Sequence, residues 1–285
     1  MNKIKKLRTV IPRAPQHWVG DGFPVNTMFS YNEQGRDLSP FLLLDYAAPT
    51  EVSPSERPRG VGKHPHRGFE TVTIVYQGEL EHRDSSGAGG KIGPGDVQWM
   101  TAASGIVHEE MHSREFTRKG GLLEMVQLWV NLPAKFKRSP PGYQELSRNQ
   151  IPVVQFPNGA GTARIIAGAF QGTKGPARTF TPVHLWDLQL KKGHRVNLSL
   201  PPGHTTALFV LKGKILVNES KKIGSVELGL FDRQGEQITF VTQEETSLLV
   251  LNGEPIEEPM VGYGPFVMNT QEEIRQAIED YQNRQ

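Results

Sequence analysis

Two residue pairs in the first half of this 285-residue sequence have the type and spacing to hold a metal ion. HPH sets His64 and His66 two apart, just ahead of the alternating run ETVTIVYQ at 70–77. Residues two apart on a strand point to the same side, so both imidazoles can reach one interior point. GIVHEEM, 105–111, repeats the arrangement with His108 and Glu110. Three neutral nitrogens and one carboxylate on neighbouring strands suit a divalent first-row transition metal, with coordination positions left open for a substrate or for oxygen. HPH alone reads first as two polar residues on a strand or loop. The second pair makes metal binding the economical account.

A rival pattern overlaps the second pair. HEEMH, 108–112, satisfies H-E-x-x-H, which binds zinc when a helix carries it. Glycine and two β-branched residues precede it, which start a helix poorly, and the longer protease form is missing because Glu115 and Arg118 stand where glycine and histidine belong. His82 lies in the turn-rich EHRDS and reads as exposed, while His17, His184, His194 and His204 are scattered and read as structural or surface residues. No nucleophile elbow or phosphate-binding loop occurs, and GAGGK at 87–91 reads as a hairpin loop.

The elements that must position these groups are strands. FLLLDY (41–46), ETVTIVYQ, DVQWMTA (96–102) and LLEMVQLWVNL (122–132) are separated by turn clusters such as DSSGAGG. RSPPGY at 138–143 breaks the chain, and the rhythm resumes with ARIIAGAF, VHLWDLQL, TALFVLKG, QITFVT and SLLVLNG. IVYQGEL (74–80) matches LFVLKGKIL (208–216), with Gly78 and Gly213 turning one strand into the next, so the halves read as duplicated β-domains. The expected boundaries are 1–137, a linker at 138–144, and 145–285. Thr270 and Glu273 have capping-box spacing, and Ile274, Ala277, Ile278 and Tyr281 recur at helical period, which predicts one terminal amphipathic helix.

Composition narrows the setting. The formal charge of +2 gives no electrostatic case for nucleic acid, and KIKK at 3–6 reads as a solvated start. There is no cysteine, hence no disulfide and no thiolate ligand, which suits a reducing compartment. Neither a signal peptide nor a membrane span is expected, which places the chain in the cytoplasm; separately, a monomer is expected.

HPHRGFE fits the first motif of the cupins, and Gly105 three before His108 fits the second. More specifically, HPHRGFETVT, PGDVQWMTAASGIVHEEM, VQLWVNLP and GPFVMNTQEEIRQAI resemble the pirin family over most of the chain. The resemblance implies an all-β bicupin with one metal in the N-terminal barrel, held by His64, His66, His108 and Glu110. It places Glu70 beside the metal as an acid/base or supporting group. Seven residues rather than six separate Glu70 from Gly78, which touches strand register and not the ligand set. In the second copy Ser199, Pro201 and Thr205 fall where His64, His66 and Glu70 stand, so that barrel is expected to be metal-free.

Pirins are similar to quercetin 2,3-dioxygenases. The resemblance therefore implies an oxidoreductase that cleaves a flavonol-like aromatic substrate with O2 at a mononuclear site. Glu110 or Glu70 would take the substrate's proton. Iron is the first choice of metal, with manganese, nickel, cobalt, copper or zinc also compatible. The alternative implied by the same resemblance is a metal- or redox-responsive regulator that binds a protein partner.

Overall fold

The computed structural model describes residues 4–33, 35–219 and 221–283, and the chain in it is mostly β. It divides into two compact units, one drawn from residues 15–36, 41–148 and 256–285, the other from 1–14, 37–40 and 149–255.

The first unit has a seven-stranded sheet in the order Gly142–Leu146, Val97–Thr101, Phe69–Gln77, Gly121–Asn131, Phe41–Val52, Phe23–Ser30 and Gln16–Val19. Its second sheet runs Gly60–His66, Ile106–His112, Leu80–Asp84 and Gly89–Ile92. All the pairings are antiparallel. Phe23, Val25, Ala47, Val75, Leu123 and Met125 belong to one of its apolar cores. GAGGK lies at the expected hairpin, with Gly87 and Ala88 in the turn after Leu80–Asp84 and the rest opening the strand Gly89–Ile92.

The second unit repeats the plan. Its large sheet is ordered Leu7–Ile11, Glu227–Phe231, Thr205–Lys212, Thr246–Gly253, Val183–Leu190, Gly161–Ala167 and Val153–Gln155, and its small sheet Arg195–Ser199, Gln237–Thr242, Ile215–Val217 and Lys221–Ile223. Gly78 and Gly213 occupy equivalent turns at φ 87° and 91°, a left-handed conformation that glycine adopts freely. The duplication read from IVYQGEL and LFVLKGKIL is therefore a duplication of architecture. Trp186, Leu188, Leu208, Val210, Leu248 and Val250 meet in the second core. Val183, Leu185 and Asp187, on the other face of the Val183–Leu190 strand from Trp186 and Leu188, are buried too, so both faces are covered there.

The units are not the expected blocks of sequence. The segment expected as a linker ends in the Gly142–Leu146 strand, which pairs with Val97–Thr101. Once past Pro140 and Pro141 the chain has free N–H groups again and adds an edge strand. The first residues join the later unit, where Leu7–Ile11 pairs with Glu227–Phe231. Lys5, expected in solvent, is buried, and its Nζ donates to the Arg233 carbonyl at 2.9 Å and the His204 carbonyl at 3.3 Å.

The predicted helix is Gln271–Gln282, with the capping box between Thr270 and Glu273 in place. It belongs to the first unit instead of the C-terminal one. Ile274 and Ala277 pack on Phe266 and Met268, and full burial of such a side chain contributes about 1.5–3 kcal/mol. The segment leading into the helix is tied to the end of the Gly60–His66 strand, because Arg67 N–H donates to the Pro265 carbonyl at 3.2 Å and Val267 N–H to the Arg67 carbonyl at 3.0 Å. Arg67 and Asp280 form an ion pair at 2.5 Å. Buried Lys137 donates to the carbonyls of Gly68 (2.7 Å) and Val267 (2.8 Å) and to Asn131 Oδ1 (2.6 Å). No helix among the described residues is long and apolar enough to cross a membrane.

Candidate metal centre

The parity argument brings three of its four residues together. His64 and His66 share the Gly60–His66 strand, and His108 lies opposite His64 on Ile106–His112. One ring nitrogen from each lies within 4.8 Å of the others. The ring centroids are 4.8 Å apart for His64 and His66, 4.2 Å for His64 and His108, and 4.8 Å for His66 and His108. His66 and His108 are buried and His64 is half-buried.

Burial first, and the neighbouring histidines second, hold His66 and His108 well below the usual imidazole range. Both are then neutral at physiological pH and each keeps a lone pair. His64 Nδ1 lies 2.8 Å from the Gly62 carbonyl, which can only accept. Its proton is therefore on Nδ1 and its lone pair on Nε2. His108 Nε2 and His66 Nδ1 are buried with no hydrogen-bond partner. Leaving such atoms unmade costs about 1–3 kcal/mol each, so a converging set of them is a site built for something that accepts electron pairs. Three neutral imidazoles fit a divalent first-row transition metal on that chemistry. The Phe69 and Trp129 rings, stacked at 4.4 Å, each lie 5.2 Å from the His66 ring and form an aromatic wall beside it.

The two carboxylates differ from the expectation. Glu110 is not in the cluster of ligand atoms. Both of its oxygens accept from Gln127 Nε2 at 3.3 Å, and Thr73 Oγ1 lies 3.4 Å from one of them. Glu70 is on the other face of its strand. Phe69 turns to His66 and Thr73 to Glu110, so by alternation Glu70 points the opposite way, where Thr101 Oγ1 donates to it at 2.7 Å. It is 1 % exposed, and burial pushes its carboxyl up to about 7. The expectation of Glu70 beside the metal is corrected by Gly68, whose φ of 91° resets the alternation between His66 and Phe69.

His82 is corrected as well. It is 2 % exposed, because on the Leu80–Asp84 strand Leu80, His82 and Asp84 share the inward parity while Arg83 faces solvent. Its Nδ1 lies 3.3 Å from His108 Nδ1, and its Nε2 lies 3.0 Å from Asp84 Oδ2. An H-x-D pair two apart on a strand was the signal available in the sequence. The H-E-x-x-H reading finds no helix. His112 is on the same strand as His108, its Nε2 is 2.9 Å from the Gly22 carbonyl, and it packs against Phe23 and Phe116. His17 is exposed, whereas His184, His194 and His204 are half-buried in the second unit.

Comparison with known proteins agrees with the duplicated plan. The Pirin family model matches residues 22–130, and the Pirin C-terminal cupin domain matches residues 185–285. A Pseudomonas aeruginosa protein named "Putative quercetin 2,3-dioxygenase" is 56% identical over 280 residues, covering 98% of each chain. Human Pirin is 37% identical over 254 residues, covering 87% of this chain and 83% of its own. A crystal structure of quercetin 2,3-dioxygenase from Acinetobacter baumannii superimposes with a TM-score of 0.96 at 50% identity, covering 98% of this chain and 97% of that one.

Proposed function

This chain belongs to the pirin family, and we propose that it is a metal-dependent dioxygenase of the quercetin 2,3-dioxygenase type, acting on a flavonol-like substrate with O2. The observation that carries the reading is the buried, partnerless Nε2 of His108, set among the converging nitrogens of His64 and His66.

His64, His66 and His108 would hold the metal. Glu110, two residues on from His108 along the same strand, would complete the set when its side chain turns from Gln127 toward the histidines. Bound there, a divalent ion such as iron would supply open positions for the adjacent hydroxyl and carbonyl oxygens of a flavonol and for O2. His66 and His108 stay neutral because they are buried, so their lone pairs remain available through the physiological range. Glu110 would take the flavonol's hydroxyl proton, which leaves an electron-rich enolate-like ring. Addition of both atoms of O2 across that ring yields the ring-opened ester and carbon monoxide. Half-buried Trp129, backed by the fully buried Phe69 ring, would offer a flat apolar surface to an aromatic substrate. The Glu70 carboxyl faces elsewhere and takes no part.

Elemental analysis of the purified protein, followed by quercetin under air, tests the reading. About one transition-metal ion per chain, bleaching of the flavonol and matching O2 uptake are expected. Metal without turnover, across iron, manganese, nickel, cobalt, copper and zinc, would overturn the enzyme and leave the protein-binding regulator.

A further inference from the structure

Hydrogen bonds behind His108 decide which of its nitrogens is available. Asp84 Oδ2 lies 3.0 Å from His82 Nε2, and both side chains are buried, at 0% and 2% exposure. A carboxylate only accepts, so His82 carries a proton on Nε2 and, when neutral, a lone pair on Nδ1. Gln98 agrees with this assignment. Its Oε1 receives the Tyr143 hydroxyl at 3.3 Å, which turns its amide Nε2 toward His82 Nδ1, also at 3.3 Å. A second proton on His82 would set two N–H groups against each other there. The Tyr143 ring stacks on the His82 ring at 5.1 Å and 17°, which fixes the plane of the imidazole.

His108 Nδ1 is 3.3 Å from that same lone pair, so the hydrogen between the two rings is carried by His108. A neutral His108 protonated on Nδ1 has its own lone pair on Nε2, the buried atom with no partner. The arrangement runs carboxylate, imidazole, imidazole, and ends at the candidate metal position. The sequence expectation left His82 in solvent and gave Asp84 no role.

We propose that His82 and Asp84 are positioning residues, an Asp84–His82 pair that holds the Nδ1 proton of His108 and so presents His108 Nε2 to the metal as an oriented, more basic ligand. Gln98 and Tyr143 keep His82 in the tautomer this requires. The proposal rests on the three-histidine site described above. A carboxylate acting through a ligating histidine is a general device, and removing such support typically weakens metal binding 10- to 100-fold.

The test uses the full chain loaded with cobalt(II), read by competition against a coloured chelator and by the visible bands of the bound ion. Loss of cobalt binding is expected for His108→Ala. His82→Phe keeps the stack on Tyr143 and loses the acceptor; it should bind cobalt about 10- to 100-fold more weakly with shifted bands. His82→Gln, whose amide oxygen can accept from His108, should recover most of the affinity. Asp84→Asn should fall between, since its Oδ1 can still serve Ser86 and Ala88.

Wild-type affinity and bands in His82→Phe, with binding abolished in His108→Ala, would overturn the relay and leave the metal site standing. A lower melting midpoint of the metal-free protein with unchanged bands would also overturn it, because that is what a merely structural residue does. Cobalt retained by His108→Ala would sink the metal-site reading itself. Should His82→Phe fail to fold, Asp84→Asn and Gln98→Leu preserve the stacked pair, and the same two readings decide.

Discussion

Replacing Glu70 by glutamine should flatten part of the protein's pH–stability profile while leaving its metal content alone. Glu70 is 1 % exposed, and burial raises its carboxyl from 4.5 to about 7, against the opposing hydrogen bond from Thr101. A carboxyl with a raised pKa binds its proton more tightly in the folded chain than in the unfolded one. Between pH 4.5 and about 7 the folded state therefore carries more protons, so the contribution is complete below 4.5 and is lost as pH rises through 7. The shift is 7 − 4.5, or about 2.5 units, and at 1.36 kcal/mol per unit the ceiling is about 3 kcal/mol. Glutamine keeps the shape and the acceptor for Thr101 and cannot ionise. Urea unfolding of both proteins, metal-free, at several pH values from 4.5 to 8 gives the difference directly, with the histidine titrations common to both cancelling. Wild type minus variant should fall by up to about 3 kcal/mol across that range. Parallel curves would mean that Glu70 is already ionised when folded. Loss of metal in the variant would mean that the face assignment of Glu70 is wrong.

Glu110→Gln should weaken metal binding measurably and Glu70→Gln should not, as read by chelator competition; the reverse ranking would exchange their places. Lys137→Met removes three hydrogen bonds from a buried ammonium and leaves acceptors on Gly68 and Val267 facing an apolar chain. Urea unfolding should show a loss of about 3 kcal/mol or more, since each stranded buried acceptor costs about 1–3 kcal/mol. Asp280→Asn breaks an ion pair whose acid is 36% exposed, and its cost should stay below about 1 kcal/mol in the same assay.

The convergence of His64, His66 and His108 was legible because period-two placement is written locally in HPH, whereas the parity of HEE did not bring Glu110 into the cluster. The strands were legible for the same reason, and so was the capping box at Thr270. Glu70, placed beside the metal by the resemblance alone, faces the other way because Gly68, left-handed between two strands, resets the alternation after His66. His82 looked exposed because Glu81, Arg83 and the DSSGAGG turn around it are polar. A buried hydrogen-bonded histidine carries no compositional mark of its own. The unit boundaries were the hardest to read. Pairing of Leu7–Ile11 with Glu227–Phe231 joins residues more than two hundred positions apart, and neither segment signals its partner.

The brace on the Gly60–His66 strand has a consequence for biosynthesis. Arg67 is held by the Pro265 carbonyl, the Val267 amide and the ion pair to Asp280, in a segment that follows His66 by about 200 residues. At a translation rate of about 5–20 residues per second, the ribosome makes the histidines about 10–40 s before it makes the brace that steadies them. During that interval the strand end lacks its partner, and most of the second unit is synthesised in between. On the proposed reading, capture of a metal ion with native affinity is then a late event, one that follows synthesis of the C-terminal segment.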